Sequence, residues 1–579
     1  MSSKSFVRIT ALVVIAAATL VGGIRGYSRR EDRSEHIETA YTEALGVVAS
    51  NYADEVDYDK AGEAAIQGML STLDPHSNFF NKAEYQRLLQ DQESRFTGIG
   101  VSILRRRDGV YVQTPLEGTP AAKAGLRFGD RFVEVDGRDA RNWTTPEVSK
   151  AVRGPEGERV TIKMERVGAN APQFYTIVRG SVPQPSIRNV FMLRPGVGYV
   201  GMTGGFTQTT AEELRAALES LSKEGMQQVI LDLRNNPGGL LGQSIEVASQ
   251  FIERGKTVVS VRGRDGGNNR EYKSTSSDPH DYPLVVLINR NSASASEIVA
   301  GAIQDHGRGI LVGETSFGKG LVQKVFQLPF GAGLTLTTAK YYTPYGRLIQ
   351  REYTGGSFYD YYTRHGAADE PAPRTPTQPT QPTSPTSPTS PTSPASPDAP
   401  APPVPTPQPT PQATPTGPAI KTAAGRVFYG GGGITPDHEV KPLDITTPAR
   451  ARIFEESFFF VRELVGGQIP GLEAYRLSAG PQFGRVPRPT DLPVNEKVIE
   501  AFRNFVKRDP QSGLSLKHLD ADLDYARLRL RDDIITAAYG TDAAGRFLLE
   551  SDPQLLRALE LLPEARTLAE NVSRGNSSE

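Results

Sequence analysis

The sequence predicts a multidomain α+β protein, with a buried α/β sheet domain, a smaller β-rich domain before it and helical regions at both ends. Continuous apolar runs, typical of strands buried on both sheet faces, occur at Val197–Val200, Gln228–Leu233 and Pro283–Asn289. Helical stretches alternate with them near 210–223, 241–253 and 294–305. This alternation over residues 185–350 predicts an α/β architecture. The length of 579 residues allows about three or four domains.

Composition excludes several classes of function. The 65 basic and 66 acidic residues leave a net charge of −1, whereas nucleic-acid binders carry a basic excess or stripe. The chain has no cysteine, which excludes disulfides, thiolate nucleophiles and cysteine-ligated metal sites. Residues 371–418 hold 19 of the 44 prolines, so the rest of the chain has enough apolar residues for real cores.

Residues 1–30 predict an export signal or an uncleaved membrane anchor. Lys4 and Arg8 precede an apolar run from Ile9 to Ile24, and arginines follow it. A short basic start before an apolar stretch is typical of secretion signals. We therefore expect the rest of the chain in the cell envelope, on the periplasmic or other extracytoplasmic side of the inner membrane.

The remaining regions differ in composition. Residues 31–92 form an N-terminal helical region and residues 94–168 a β-rich domain. Residues 366–424 form a proline-rich insertion, and residues 447–579 form a C-terminal helical region. In the β-rich domain, short β runs alternate with glycine turns such as Asp136-Gly137. Thr-Ser-Pro units repeat around 383–394, which predicts a disordered or polyproline II spacer. Apolar periodicity in the C-terminal region predicts helices at 447–465, 495–507, 524–538 and 543–571.

The segment from Asn291 to Ile298, Asn-Ser-Ala-Ser-Ala-Ser-Glu-Ile, follows an apolar strand and begins a helix. A serine at this junction is well placed as a nucleophile, because free N–H groups at the helix N-terminus favour developing negative charge. The alternative interpretation is a serine that only caps the helix.

Lys319 lies 25 residues after Ser294, between two glycines. A lysine can take the proton of a serine hydroxyl only when burial lowers its pKa from about 10.4. Phe317, Leu321 and Val322 are apolar neighbours that could desolvate it. Gln323 is the candidate to orient the amine.

The two motifs together, Ser292–Ile298 and Val312–Gln323, resemble those of the carboxy-terminal processing proteases, the tail-specific serine peptidases of family S41. Further family-like segments occur in order at Gly68–Phe80, Asp232–Leu240, Tyr342–Ile349 and Gly433–Asp437. The resemblance covers about 35–350 and resumes at 425–445. It implies a crotonase-like α/β protease core in which Ser294 is the nucleophile, Lys319 the base and Gln323 the orienting residue. It assigns no counterpart to the C-terminal helical region.

The Asp232–Leu240 segment reads as a strand that ends in a Pro-Gly-Gly turn before a helix. Backbone N–H groups at such a turn can form an oxyanion hole. We expect the amide of Gly239, or alternatively that of Gly238, to act together with the amide of Ala295. A structural turn is compatible with this role, whereas a phosphate-binding loop would need the Lys-Ser/Thr ending that is missing here.

Residues 94–168 resemble a PDZ domain. The residues of the carboxylate-binding loop would be Gly98, Ile99, Gly100 and Val101. In such domains a peptide adds as a strand to a sheet edge and backbone amides bind its terminal carboxylate. The resemblance implies capture of protein substrates by their free C-termini.

Two rival functions remain open at this point. A Ser-His-Asp hydrolase would need a histidine near Ser294, but His306 is predicted at the far end of the same helix. A catalytically inactive, membrane-tethered PDZ scaffold would bind C-termini without needing both Ser294 and Lys319. We therefore predict a serine endopeptidase that cleaves near protein C-termini, without a cofactor or metal and with no nucleic-acid partner. The helical ends fit either self-association or docking of an adaptor or regulatory protein.

Overall fold

The computed structural model describes residues 35–264, 266–267, 269–353, 419–421, 426–444, 447–509 and 512–576. The predicted export signal at 1–30 and most of the predicted spacer at 366–424 lie outside these residues. Within the described ranges, no helix is both long enough and apolar enough to cross a lipid bilayer.

The chain divides into two compact units, the first of which ends at Asn81. In this first unit, helix α1 covers residues 35–51, helix α2 covers Tyr58–Ser71 and strand β1 covers Asn78–Phe80. The helical prediction for this part of the chain is confirmed except at the short strand β1. Helix α3 (Lys82–Asp91) begins the second unit.

The β-rich domain contains an antiparallel sheet of order β3-β4-β5-β7-β8, with β6 paired to β5. Its elements, in chain order, are β2 (Arg95–Gly98), β3 (Val101–Arg106), β4 (Gly109–Pro115), α4 (Pro120–Lys123), β5 (Arg131–Val135), β6 (Arg138–Asp139), α5 (Thr145–Val152), β7 (Arg159–Glu165), β8 (Gln173–Val178) and β9 (Gly180–Pro183). The sheet therefore extends beyond the predicted limit at residue 168. Gly168, with φ 78°, lies in the turn before β8, and only Ile177 of that strand is buried.

The main sheet of the α/β domain has the order β10-β11-β12-β15-β16-β21. All neighbours are parallel except β10 and β11, which pair antiparallel. Its elements are β10 (Asn189–Arg194), β11 (Val197–Gly201), α6 (Thr210–Lys223), β12 (Gln228–Asp232), α7 (Leu241–Ser249), β15 (Leu284–Ile288), α8 (Ala295–Asp305), β16 (Ile310–Gly313) and β21 (His438–Glu439). The three predicted apolar strands are confirmed as neighbours in the centre of this sheet. All five residues of β15 are buried, as expected for a strand covered on both faces.

A second sheet and a short hairpin complete this domain. The sheet contains β13 (Thr257–Gly263), β14 (Arg270–Lys273), β17 (Leu321–Gln327) and β18 (Gly333–Tyr342), in which β18 pairs with both β13 and β17. The hairpin consists of β19 (Ala419–Lys421) and β20 (Val427–Tyr429).

Two predictions concern the end of the proline-rich insertion and the residues that follow it, and they have different outcomes. Strand β21 pairs in parallel with β16, which confirms that the α/β domain resumes within 425–445. The spacer prediction for 366–424 is wrong at Ala419–Lys421, because these residues pair with Val427–Tyr429 in a two-stranded sheet.

The C-terminal region is helical, as predicted. Its helices are α9 (Pro448–Val465), α10 (Glu496–Arg508), α11 (Leu516–Ala521), α12 (Leu523–Tyr539), α13 (Thr541–Leu549) and α14 (Pro553–Asn576). The single helix predicted at 543–571 is wrong, because α13 ends before Asp552 and α14 begins at Pro553. Proline favours the first position of a new helix, and Asp552 accepts from the amides of Gln554 (2.9 Å) and Leu555 (3.2 Å).

Helix α9 packs against the turn between β3 and β4 of the β-rich domain. Arg106 lies 3.3 Å from the Glu455 carboxylate and stacks over the ring of Phe458. Arg107 pairs with Glu456 at 2.5 Å, and Tyr111 shares one buried apolar cluster with the C-terminal helices. The β-rich domain is therefore held by a region to which the family resemblance assigns no counterpart.

Candidate active site

The predicted nucleophile lies where the central strand β15 leads into helix α8. Ser294 is the N-cap residue of α8, with φ 55° and ψ −112°. A positive φ is uncommon for a residue other than glycine and costs of order 1–3 kcal/mol, so surrounding contacts must hold it. The free N–H groups at the start of α8 favour negative charge at the same point.

The three serines of this segment have different surroundings. Ser292 and Ser296 are fully buried, and their hydroxyls donate to the carbonyls of Leu233 (2.8 Å) and Asn236 (3.0 Å). Ser294 is only half-buried. The middle serine is thus the one of the three that is accessible to solvent, and its role as the nucleophile stays a prediction.

A buried carboxylate joins the serine segment to the lysine segment. Glu297 has no exposed surface and accepts four hydrogen bonds. Its Oε2 accepts from the amides of Ser294 and Lys319, both at 2.8 Å. Its Oε1 accepts from the Gly318 amide at 2.6 Å and the Ser316 hydroxyl at 2.5 Å. Because both 2.8 Å bonds end on one oxygen, the two amide nitrogens can be separated by at most twice that distance.

The four donors favour the ionised form of Glu297. Burial raises the pKa of Glu297, and the hydrogen bonds from Ser316, Lys319, Gly318 and Ser294 oppose that change. The Ser316 hydroxyl accepts from the Ile434 amide at 2.7 Å, so its own proton points to Glu297. If Glu297 were protonated, one of its oxygens would carry the proton and could no longer accept one of these four hydrogen bonds.

The backbone around Lys319 is closely packed on both sides. A Cβ at Gly320 would lie 2.4 Å from the Gln350 amide nitrogen, and the Gly320 amide donates to Gln350 Oε1 at 2.8 Å. The Phe317 amide donates to the Ser292 carbonyl at 2.9 Å. Lys319 itself is half-buried. These contacts fix the backbone of the predicted base beside the serine segment.

Gln323 lies on β17, directly opposite Thr337 on β18. Its Nε2 donates to the Thr337 hydroxyl at 3.3 Å. The orientation of Lys319 by Gln323 stays a prediction.

The predicted oxyanion turn lies against the serine. A Cβ at Gly238 would be 2.7 Å from Ser294 Cβ and 2.8 Å from the Ala295 nitrogen, so only glycine fits there. The Gly238 amide donates to Asn236 Oδ1 at 2.9 Å. Within the described part of the chain, the amides of Gly239 and Ala295 donate to no backbone or side-chain acceptor. This difference favours Gly239 over Gly238 as the partner of Ala295.

The predicted carboxylate-binding loop borders a groove between β3 and α5. The groove is lined by Phe96, Ile99, Gly100, Val101, Ile103, Ser149, Val152 and Arg153. The carbonyls of Ile99 and Gly100 accept from Ala121 (2.7 Å) and Leu116 (3.0 Å). Among the described residues, no acceptor contacts the amides of Ile99 and Gly100. Gly98 lies outside this lining and pairs with Gly180 in the adjoining two-stranded sheet.

His306 lies at the opposite end of α8 from Ser294, as predicted. It is the C-cap residue of that helix, and its Nε2 is hydrogen-bonded to the Thr257 carbonyl at 2.7 Å. The eleven residues of α8 span about 16 Å at 1.5 Å per residue. His306 is therefore too distant to take a proton from Ser294.

Sequence reasoning missed the roles of Glu297 and Asn236. The Ser-x-x-Glu spacing of Ser294 and Glu297 is a capping-box pattern and could have indicated the bond from Glu297 to the Ser294 amide. Nothing local indicates its bonds to Gly318 and Lys319. The backbone carbonyl of Asn236 accepts a hydrogen bond from the Ala293 amide at 3.0 Å. This bond links the predicted oxyanion turn to the serine segment.

Glu297→Ala is expected to lower the free energy of unfolding by about 3–5 kcal/mol, because it leaves several buried donors without an acceptor. Glu297→Gln should also destabilise the fold, since in either orientation its NH₂ group would face two hydrogen-bond donors. Denaturant unfolding measures both effects. Glu246→Ala, at an exposed position on α7, is the control and should change stability by no more than about 0.5 kcal/mol. Equal stability of Glu297→Ala and the control would contradict the role given to Glu297.

Comparisons with known proteins show which family the chain belongs to. Peptidase family S41 matches residues 196–356, and a PDZ domain matches residues 111–166. The carboxy-terminal-processing protease of Bartonella bacilliformis is 35% identical over 343 residues, which are 58% of this chain and 78% of that protein. The carboxy-terminal processing protease CtpB of Bacillus subtilis is 33% identical over 56% of this chain and 67% of its own length.

Among solved structures, the photosystem II D1 C-terminal processing protease is 32% identical. The alignment covers 54% of this chain and 83% of that chain, with a TM-score of 0.33. Since the Bartonella relative is matched over most of its length at more than 30% identity, the chain belongs to the carboxy-terminal processing serine proteases of peptidase family S41 and carries a PDZ domain.

Proposed function

We propose that the protein cleaves envelope proteins near their C-termini, with Ser294 as the nucleophile, Lys319 as the base and the PDZ domain as the site that captures the substrate tail. The observation that carries the proposal is the Glu297 carboxylate, whose Oε2 accepts from the amides of both Ser294 and Lys319. It brings two segments that are distant in sequence to one point, beside the Pro-Gly-Gly turn.

In the proposed first step, the neutral amine of Lys319 accepts the hydroxyl proton as Ser294 Oγ attacks the substrate carbonyl. The amides of Ala295 and Gly239 donate to the oxyanion that forms. Lys319 then transfers the proton to the leaving amine, the peptide bond breaks and an acyl-enzyme remains. Water attacks the ester, Lys319 takes its proton and returns it to Ser294, and the shortened protein leaves.

Gln323 is proposed to position Lys319 without contacting the substrate. Because Gln323 Nε2 donates to Thr337, its Oε1 is the atom that would accept from the Lys319 ammonium. This bond would orient the amine between proton transfers.

The groove of the PDZ domain is proposed to bind the substrate tail as an added strand beside β3. The amides of Ile99 and Gly100 would bind the terminal carboxylate. The side chains of Ile99, Val101, Ile103 and Val152 line the groove, and their apolar surface favours a small apolar residue at the chain end.

The proposed location, the extracytoplasmic side of the inner membrane, is supported by the signal-like composition of residues 1–30. Self-association and an adaptor protein stay predictions from the helical ends.

The test compares cleavage of one peptide that ends in small apolar residues as its free acid and as its C-terminal amide. Loss of hydrogen bonds to a charged carboxylate is worth about 1.5–3 kcal/mol. We therefore expect kcat/KM to be about 10- to 100-fold lower for the amide. Binding of the free acid without cleavage would favour the scaffold function instead, and equal cleavage of both peptides would contradict tail capture.

Two glycines of the PDZ domain provide a matched pair of variants. Gly100 and Gly137 both have φ 75°. A Cβ at Gly100 would lie 2.4 Å from Thr119 Cβ, whereas nothing lies within 4 Å of one at Gly137. Gly100→Ala should therefore remove the preference for the free acid, while Gly137→Ala, with similar backbone strain, should retain it.

A further inference from the structure

We infer that the C-terminal helical region positions the oxyanion turn, because Asp552 and Gln554 hold Arg234 at the start of that turn. The inference rests on the proposed role of the Gly239 amide. Asp552 and Gln554 belong to the part of the chain to which the family resemblance assigns no counterpart. They act through Arg234 and are positioning residues.

Arg234 is held between two carboxylates from distant parts of the chain. Its Nε lies 3.0 Å from both Asp232 carboxylate oxygens, and its Nη2 lies 2.7 Å from Asp232 Oδ2. Its Nη1 donates to Asp552 Oδ2 at 2.5 Å and to Gln554 Oε1 at 2.8 Å. Asp232 therefore binds one side of the guanidinium, and the C-terminal region binds the other.

The site is largely shielded from water. The side chains of Arg234 and Asp552 are 12% and 18% exposed, and Gln554 is almost completely buried. A guanidinium nitrogen left without an acceptor in such surroundings is strongly disfavoured. Without Asp552 and Gln554, Arg234 would have to turn toward water to satisfy Nη1.

Arg234 is directly connected to the residues that shape the turn. The next residue, Asn235, donates from its amide to Asn289 Oδ1 at 2.9 Å. Asn236 follows, and its carbonyl accepts from the Ala293 amide and the Ser296 hydroxyl, both at 3.0 Å. A shift of Arg234 would therefore displace Asn235 and Asn236, and through their hydrogen bonds it would also displace the turn and the serine segment.

Asp552 and Gln554 belong to a rigid part of the fold. Asp552 Oδ1 accepts from the Gln554 amide, and Gln554 Nε2 donates to the Val440 carbonyl at 2.7 Å. Helix α14 also packs its apolar side on the main sheet, where its buried residues form one cluster with side chains of β11, β12, β15 and β16: Leu555, Ala558, Leu561, Leu562 and Ala565. The acceptors of Arg234 are thus fixed relative to the sheet that carries Ser294.

The variant that tests the inference is Asp552→Asn. Asparagine still caps a helix, so α14 should form, but its neutral amide cannot replace the carboxylate that pairs with Arg234. Misplacement of an active-site group by about 1 Å can reduce the rate 100-fold. We expect kcat to fall about tenfold or more, with KM and binding of the free-acid peptide unchanged. Glu560→Gln, on the exposed side of the same helix, is the control and should leave kcat unchanged.

A double-mutant cycle tests whether Asp552 acts through Arg234. In an Arg234→Ala background the Asp552→Asn change should reduce kcat no further, because the contact is already lost. Additive reductions would overturn the inference, and so would an unchanged kcat in Asp552→Asn accompanied only by a lower melting temperature.

Hydrogen exchange provides a measurement that does not depend on activity. Asp552→Asn should speed amide exchange in residues 234–240, and Glu560→Gln should not. If the wild-type protein cleaves no peptide, the proposed function fails, yet faster exchange would still support the positioning of the turn. Unchanged exchange in Asp552→Asn would overturn it.

Discussion

Ser294→Ala is expected to lower the rate of peptide cleavage by about four to six orders of magnitude, because loss of the nucleophile removes the covalent route. Binding of a free-acid peptide should be unchanged, since the groove of the PDZ domain lies in another domain. Cleavage is measured by chromatography of the products, and binding by fluorescence anisotropy of a labelled peptide.

Ser292→Ala is the control for Ser294→Ala. The Ser292 hydroxyl donates to the Leu233 carbonyl and contributes about 1 kcal/mol to stability, so this variant should be less stable but still cleave. A protein that loses cleavage with Ser292→Ala and keeps it with Ser294→Ala would show that the wrong serine has been assigned.

Lys319→Arg is expected to lower cleavage by about two to four orders of magnitude, the contribution of a general base. The guanidinium remains protonated at every working pH and cannot accept the proton of Ser294. The bond from the residue 319 amide to Glu297 involves only the backbone, so the fold should persist. The measurement is kcat together with the circular dichroism of the folded protein.

The matched control is Lys324→Arg, at an exposed position on strand β17, which begins two residues after Lys319. It should keep full activity. Full activity of Lys319→Arg would contradict the assignment of the base, whatever the control shows.

The local pattern predicts the three central strands of the main sheet and the junction between strand and helix at which Ser294 lies. Continuous apolar runs predict buried parallel strands, because both faces of such strands lie against helices, and β11, β12 and β15 confirm this. The choice of Ser294 over its neighbours comes from the family resemblance and stays a prediction, while Ser292 and Ser296 are buried. By contrast, the sheet of the β-rich domain continues beyond the predicted limit at residue 168 into β8. The helix predicted at 543–571 is broken at Asp552-Pro553, although apolar periodicity continues on both sides of the break.

The composition and short-range pattern of this chain predict the three central strands of the main sheet and most of the helices, and the family resemblance supplies the predicted catalytic side chains. Long-range contacts could not be read in this way. Glu297 accepts from residues 3, 21 and 22 positions away, and Arg234 pairs with Asp552 at a separation of 318. Such pairs form because packing of the whole chain brings buried donors to the acceptors they need, and no spacing within one element specifies which acceptor that will be.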